Sequence, residues 1–322
     1  MTARVLDRYP FNSPWIRALL GRYGLPVWFF AHSFLGIVNS ARDTTLLFFD
    51  ARLYLMATQE WLAGGNPWAV DLAGNFYAAP PPSLLPLAPL AAMPIDMGVG
   101  IIAALVIGAA ILTVRLLRLP WWWILFPPLI QSILSANVQA LLLPLIMLGA
   151  GPVAVFLKVY AGVPLLLLAR WRALAVAAFL LVVTVPILPW DLYLSELGSI
   201  NERLAMQTDI ALPTVVLVAL APVAAVAMWV VGRERAAWLA VPALWPSQQY
   251  YYGSLAMGAR SGLAAAIVAF PINGSGLWAL LVLAAWEWRQ GTRPRLHARW
   301  SRVRARTFGP VTGRTGRLDS GA

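Results

Sequence analysis

The chain has 322 residues, of which 60% are hydrophobic and 11% charged, with a formal net charge of +11 and a mean hydropathy of +0.72. A soluble domain carries about 25% charged residues, so this composition argues against a soluble protein, and continuous apolar runs without alternation argue against a membrane β-barrel. The chain has no cysteine, and its two histidines, His32 and His297, lie far apart, which excludes Cys-ligated metal sites and a histidine metal cluster.

Arg4, Arg8, Arg17 and Arg22 precede the first apolar run, Leu25 to Val38. The positive-inside rule then predicts a cytoplasmic N-terminus over 1–24. The long polar start, with no small-residue cleavage site after a short apolar core, is not expected to be a cleavable signal. Helix one emerges near Ser40 into a first external loop over 40–96. Thr45 to Ala63 reads as a helix lying along the membrane face, with Leu46, Phe49, Leu53, Met56 and Trp61 on its apolar side. Gly64-Gly65-Asn66-Pro67 stops it. The prolines of Ala79 to Pro82 bar a helix locally, and a second short one is expected from Ser83 to Ala92.

Met97 to Leu117 returns inward to Arg115 and Arg118; Trp121 to Leu134 goes out; Ser135-Ala136-Asn137 turns; Val138 to Leu148 comes back. Trp121, Trp122 and Trp123 suit an interfacial aromatic belt. Pro152 to Ala169 fits either one thin span or two short helices that dip and return near Lys158. The second arrangement is preferred because it keeps Arg170 and Arg172 on the cytoplasmic side. Ala173 to Pro189 spans again, and a polar segment forms a second external loop over 191–210. Leu212 to Val231 comes in and Ala237 to Ser247 goes out. Ser261 to Ala285 closes the membrane domain of 25–288, as two short helices broken at Pro271 to Gly274 or as a dip and a span. The arginine-rich tail, 289–322, reads as disordered and cytoplasmic. Its charge suits anionic lipid headgroups, and no nucleic acid is expected. The fold class expected is all-α, a polytopic transmembrane bundle of about eight to ten helices.

A carboxylate costs about 3 kcal/mol or more at the centre of a membrane helix, so the acids near the interface stand out. Asp50 is either a general base facing a water-filled cavity or a solvated residue on an amphipathic helix. Lys158, the only lysine, is either a phosphate contact or a snorkelling inter-helix partner. Arg42 and Arg260 are alternative phosphate ligands, since arginine binds phosphate as a fork. Gln248, Gln249 and Tyr250 to Tyr252 line a cavity or belong to an aromatic belt, and Trp61, Trp68 and Tyr77 carry the same two readings. Asp43 and Asp71 are further candidates to assist Asp50 or to host Mg²⁺ with it, with a spacing that fixes neither role, and no cofactor is expected. No Gly-rich phosphate loop is present, so a nucleotide is not expected. The sequon Asn273-Gly274-Ser275 lies in a short turn within membrane sequence and is discounted.

The order Asp50-Ala-Arg-Leu-Tyr54, Ala57, Trp61-Leu-Ala-Gly-Gly-Asn-Pro-Trp68, Phe76-Tyr77, Pro80-Pro81-Pro82, Leu84 and Pro86 resembles the first external loop of the polyprenyl-phosphate-mannose-dependent glycosyltransferases. These form glycosyltransferase family 87 of the multispanning GT-C superfamily. The likeness covers about a seventh of the chain closely, and the family's loop has Tyr-Pro-Pro where this one has Tyr-Ala-Ala-Pro-Pro-Pro. The resemblance implies that Asp50 is the catalytic base and Tyr54 part of the site. It also implies transfer of a hexose, mannose in the family, from a polyprenyl phosphate carrier to a lipid-linked or surface glycan acceptor, with inversion at the anomeric carbon. Lys158, with Pro164 after it, resembles the family's lysine-proline pair and is implied to contact the lipid phosphate. Asn137 and Gln139 resemble a Gly-Gln segment at an outer helix end, without the glycine. The rivals are a transporter or lipid flippase, which commonly shows internal repeats and paired midplane charges, and a non-catalytic assembly subunit.

Overall fold

The computed structural model describes residues 20–206 and 210–292, and the expected N-terminal and C-terminal cytoplasmic segments fall largely outside that range, as does His297. Its described residues are helical apart from turns and one small hairpin. Helix α1 covers Leu25–Arg42 and starts on a proline in its first turn, where the missing N–H has no intrahelical partner to lose. It buries Phe29 among Trp122, Trp123 and Phe126, with ring centroids 5.7, 5.5 and 5.1 Å away. The tryptophan triplet therefore divides: Trp121 is 77% exposed, while Trp123 is core.

Helix α2, Phe49–Leu62, does not lie on the surface as expected. It buries Ala51, Leu53, Tyr54, Leu55, Ala57 and Thr58; of the expected apolar face Leu53 is fully buried, and Phe49, Met56 and Trp61 are half-buried. Small residues let this face pack closely against α3 (Ala88–Ala91) and α4 (Ile95–Leu116). Gly64, at φ +83°, ends α2 as predicted. The loop then makes a hairpin not anticipated from sequence, β1 (Asp71–Leu72) with β2 (Asn75–Phe76). Its turn residues Ala73 and Gly74 both have positive φ, 51° and 80°, the pattern of a type I′ turn.

Helices α5 (Pro127–Leu134) and α6 (Gln139–Met147) meet at a 116° bend. With 8 and 9 residues each is about 12–14 Å long, short of a bilayer core of about 30 Å. The two spans expected here are thus two half-depth pieces. Helices α7 (Gly151–Leu157) and α8 (Gly162–Leu167) are separated by extended Lys158 and a 3₁₀ turn over Val159–Ala161. A side chain placed on Gly151 would meet Leu165 at 2.7 Å, so the second piece folds back beside the first, as the preferred reading required. Next come α9 (Trp171–Thr184), α10 (Trp190–Met206), α11 (Thr214–Val231) and α12 (Arg233–Leu244). The expected second external loop is therefore mostly helix. A 3₁₀ run over Tyr250–Ala259 leads to α13 (Gly262–Val268) and α14 (Ser275–Glu287), a dip followed by a longer helix. Gly276 allows α14 to pass within van der Waals range of α12: an added Cβ would sit 2.1 Å from the Pro242 carbonyl oxygen.

Among the described residues two helices are long and apolar enough to cross a membrane, α4 and α11, or three if α5 and α6 count as one bent span. Eight to ten independent spans are not present among the described residues. The helices nonetheless share a polarity. Helix α4 leaves from Asp96, 3.4 Å from Arg52 of α2, and its last turn carries Arg115 about 29 Å away. Helix α8 ends where Arg233, at the start of α12, donates to the Leu168 carbonyl. Helix α14 begins against Pro242 near the far end of α12 and ends at Glu287, paired with Arg235. One end of the bundle therefore gathers Arg115, Arg170, Arg172, Arg233 and Arg235, and the other holds α2, α10 and the external loop.

Candidate functional site

At the end away from those arginines lies a cavity of about 520 Å³. It is lined by Asp50 and Tyr54 of α2, Phe76 of the hairpin, Lys158 and Tyr160, Trp245, Tyr251 and Tyr252, and Tyr193, Asn201 and Leu204 of α10.

Asp50 is placed by a backbone arrangement specific to its sequence. Phe48 has φ 56° and Ala136 φ 51°, conformations unusual for side chains with a Cβ. They let two turns meet head on: the Phe48 N–H donates to the Leu134 oxygen at 2.7 Å and the Asp50 N–H to the Ser135 oxygen at 3.0 Å. The Asn137 amide nitrogen then donates to Asp50 Oδ2 at 2.8 Å, and Asn137 Oδ1 accepts from the Gln139 N–H at 2.9 Å. Burial pushes the Asp50 carboxyl above its ordinary value, while hydrogen bonds from Ser135 and Asn137 and the Lys158 charge pull the other way. Its accessible surface opens into the cavity, so the residue is half-buried while surrounded by protein. The neighbouring Tyr54 phenol is held well above its ordinary pKa, by burial first and the Asp50 charge second, which keeps it a neutral hydrogen-bond donor.

Lys158 extends from the break between α7 and α8, and its ammonium lies 5.2 Å over the Tyr54 ring. It closes no ion pair with Asp50 and has no hydrogen-bond partner among the described residues, so its donors are available to an anion in the cavity.

The other expected residues divide. Asn137 supports Asp50 from behind. Gln139 is buried one layer deeper, accepting from Tyr160 OH and donating to Ser254 Oγ at 3.4 Å, so it braces Tyr160. Trp68 is wholly buried, with Nε1 donating to the Ala79 oxygen at 3.0 Å. Tyr77 is buried against Ser83. Both hold the loop together instead of lining the cavity. Tyr250 turns outward to donate to the Ala269 oxygen at 2.6 Å, and its ring neighbours His32. Gln248 is buried with both amide atoms unpaired among the described residues; its neighbours Ser247 and Gln249 line the cavity instead. Arg42 is exposed at the end of α1. Arg260 lies in a left-handed turn beside Gly262, whose Cβ position is 3.4 Å from Leu25 at the opposite end of α1. Neither arginine lines the cavity.

Asp43 and Asp71 are likewise taken up locally. Asp43 accepts from the Thr45 N–H at 3.1 Å and Asp71 from the Gly74 N–H at 2.7 Å, as turn-capping acids do. Among the described residues no three His, Cys, Asp or Glu side chains gather as metal ligands. The residues that sequence spacing does not single out are Tyr160, Tyr193, Asn201, Thr214, Ser247 and Trp245. For α10 a signal is present: Tyr193, Ile200 and Leu204 recur at helical spacing inside an otherwise polar segment.

Fold and site together define a helical chain with apolar membrane-length helices and a polar, aromatic-walled cavity at one end. Comparison with protein-family models, with curated proteins and with solved structures finds no match.

Proposed function

We propose that the protein is an integral-membrane glycosyltransferase of the GT-C kind, which moves a hexose, mannose by resemblance, from a polyprenyl phosphate to a lipid-linked or surface glycan acceptor. The observation that carries this reading is the presence of Asp50 and Lys158 on one aromatic-lined cavity, neither of them in an ion pair among the described residues. A carboxylate with a raised pKa suits a general base, an ammonium suits a phosphate, and tyrosine and tryptophan suit sugar faces and hydroxyls.

In the reaction an acceptor hydroxyl oxygen attacks the anomeric carbon of the donor sugar. The bond from that carbon to the phosphate oxygen breaks, and the phosphate leaves with the electron pair beside Lys158. Asp50 takes the hydroxyl proton as the new bond forms. A phosphate leaves as a stable anion, so no strong acid is needed opposite Asp50. One displacement inverts the anomeric centre. The arginine-bearing end faces the cytoplasm under the positive-inside rule, which sets the cavity on the external side.

The test uses purified protein, a labelled polyprenyl-phosphate mannose and a membrane lipid extract. Asp50→Asn is expected to lower transfer by about 10²–10⁴-fold, the usual contribution of a general base, with folding unchanged. Transfer at the wild-type rate by this variant refutes the assignment. Equilibration of a lipid or solute across liposomes, with no sugar moved by the wild type, favours a transporter instead.

A further inference from the structure

The arginine-bearing end holds a second depression, remote from Asp50. It is an open pocket of about 700 Å³ between Gly149 and Pro152, at the start of the α7–α8 hairpin, and Arg170, Trp171, Arg172 and Val176, at the start of α9. Arg170 is fixed there by donating to the Ile146 carbonyl oxygen. Arg172 is exposed and makes no hydrogen bond or ion pair among the described residues. Trp171 between them is 62% exposed.

What continues from the pocket gives it a shape. Arg172, Val176, Phe179 and Val183 follow one another at intervals of four, three and four, which puts them on one face of α9. The three apolar members are all exposed, on an apolar helix of 14 residues. From Arg172 to Val183 the stripe is about 16 Å long, close to the hydrocarbon depth of one leaflet, about 15 Å. A cationic head, an interfacial tryptophan and an apolar stripe one leaflet deep are therefore in register.

We propose that this slot binds one anionic glycerophospholipid. Its phosphodiester sits between Arg170 and Arg172, which offer fork-shaped donors. Trp171 sits at headgroup level, and an acyl chain follows Val176, Phe179 and Val183. Inorganic phosphate would engage the two arginines alone and leave the stripe unused, so the lipid is the ligand that the whole arrangement fits.

Native mass spectrometry of the full chain, released from micelles holding equal mole fractions of phosphatidylglycerol and phosphatidylcholine, reads the bound lipid directly. The wild type is expected to retain phosphatidylglycerol preferentially. Arg172→Gln is expected to lower that preference about fivefold, the share of one arginine near an anionic surface, and Phe179→Ala to lower retention of the same lipid. Arg115→Gln, at the same end but outside the pocket, should leave it unchanged. Equal retention of the two lipids overturns the proposal. So does an equal loss from Arg115→Gln and Arg172→Gln, which marks diffuse charge, or displacement of the lipid by millimolar inorganic phosphate, which marks an arginine-only site. None of these readings depends on sugar transfer.

Discussion

Replacing Asn137 with alanine isolates the contact that holds the proposed base. The amide donates to Asp50 Oδ2 at 2.8 Å, and a hydrogen bond to a charged group contributes about 1.5–3 kcal/mol. Asp50 faces a cavity, where other donors and water partly replace a lost partner, so the lower end, about 1.5 kcal/mol, applies. At about 1.36 kcal/mol per pKa unit, removing the bond raises the Asp50 pKa by about one unit above a value that burial has already lifted. The acid limb of kcat/KM against pH should therefore move up by about one unit. Transfer at a pH below the limb should fall about tenfold, and the plateau above it should remain within a few-fold of wild type. The same substitution removes the acceptor of the Gln139 N–H, 2.9 Å from Asn137 Oδ1, at a stability cost of about 1–3 kcal/mol, read separately as a lower melting temperature. A limb that stays in place while the protein remains folded refutes the claim that Asn137 sets the protonation of Asp50.

Two further outcomes need no substrate. Because the Asp50 pKa is raised, the folded state binds that proton more tightly than the unfolded state; the associated stability is fully present below the unfolded pKa, near the ordinary 3.8, and is lost as pH rises through the folded value. Asp50→Asn keeps an acceptor for Asn137 and carries no charge, so it should melt above wild type at neutral pH and converge on it as the pH falls, while a variant that melts lower at neutral pH contradicts the burial argument. Gly276→Ala places a methyl 2.1 Å from the Pro242 oxygen and 2.3 Å from its carbonyl carbon; backbone does not yield, so the loss should exceed the 1–3 kcal/mol usual for overpacking, and a wild-type melting temperature would show that α12 and α14 part easily.

Some of this was legible in the residues and some was not, for physical reasons. The stop at Gly64 follows from local backbone preferences, which a sequence displays, and the break near Lys158 from the need to keep Arg170 and Arg172 on one side. Asp50 was set apart by its place in the resembled loop, while Asp43 and Asp71 stayed open as its assistants; both turn out to cap turns. The burial of α2 was not readable: large side chains weight an apolar face, whereas Ala51 and Ala57 bury because they are small and permit close approach. Asn137 was visible as a candidate, but its aim at Asp50 depends on left-handed Ala136, a conformation that the residue type does not announce. The hairpin turn on Ala73 is hidden for the same reason. The cavity wall from α10 was obscured by polar composition, since the segment reads as a loop until its period is counted.

The half-depth helices also bear on how the chain enters its membrane. Among the described residues only α4 and α11 are single helices with the length and hydropathy to cross a membrane. Pieces such as α5, α6, α7 and α8 end in unpaired backbone groups, which lipid cannot satisfy and neighbouring protein must. For a chain inserted as proposed, insertion and folding would then be separate events: two helices would commit it to the bilayer, and the short elements would seat against them afterwards. A lesion in one of those short elements would leave the topology correct and the assembly incomplete, so its mark in a cell is rapid turnover of an inserted protein, not an inverted one.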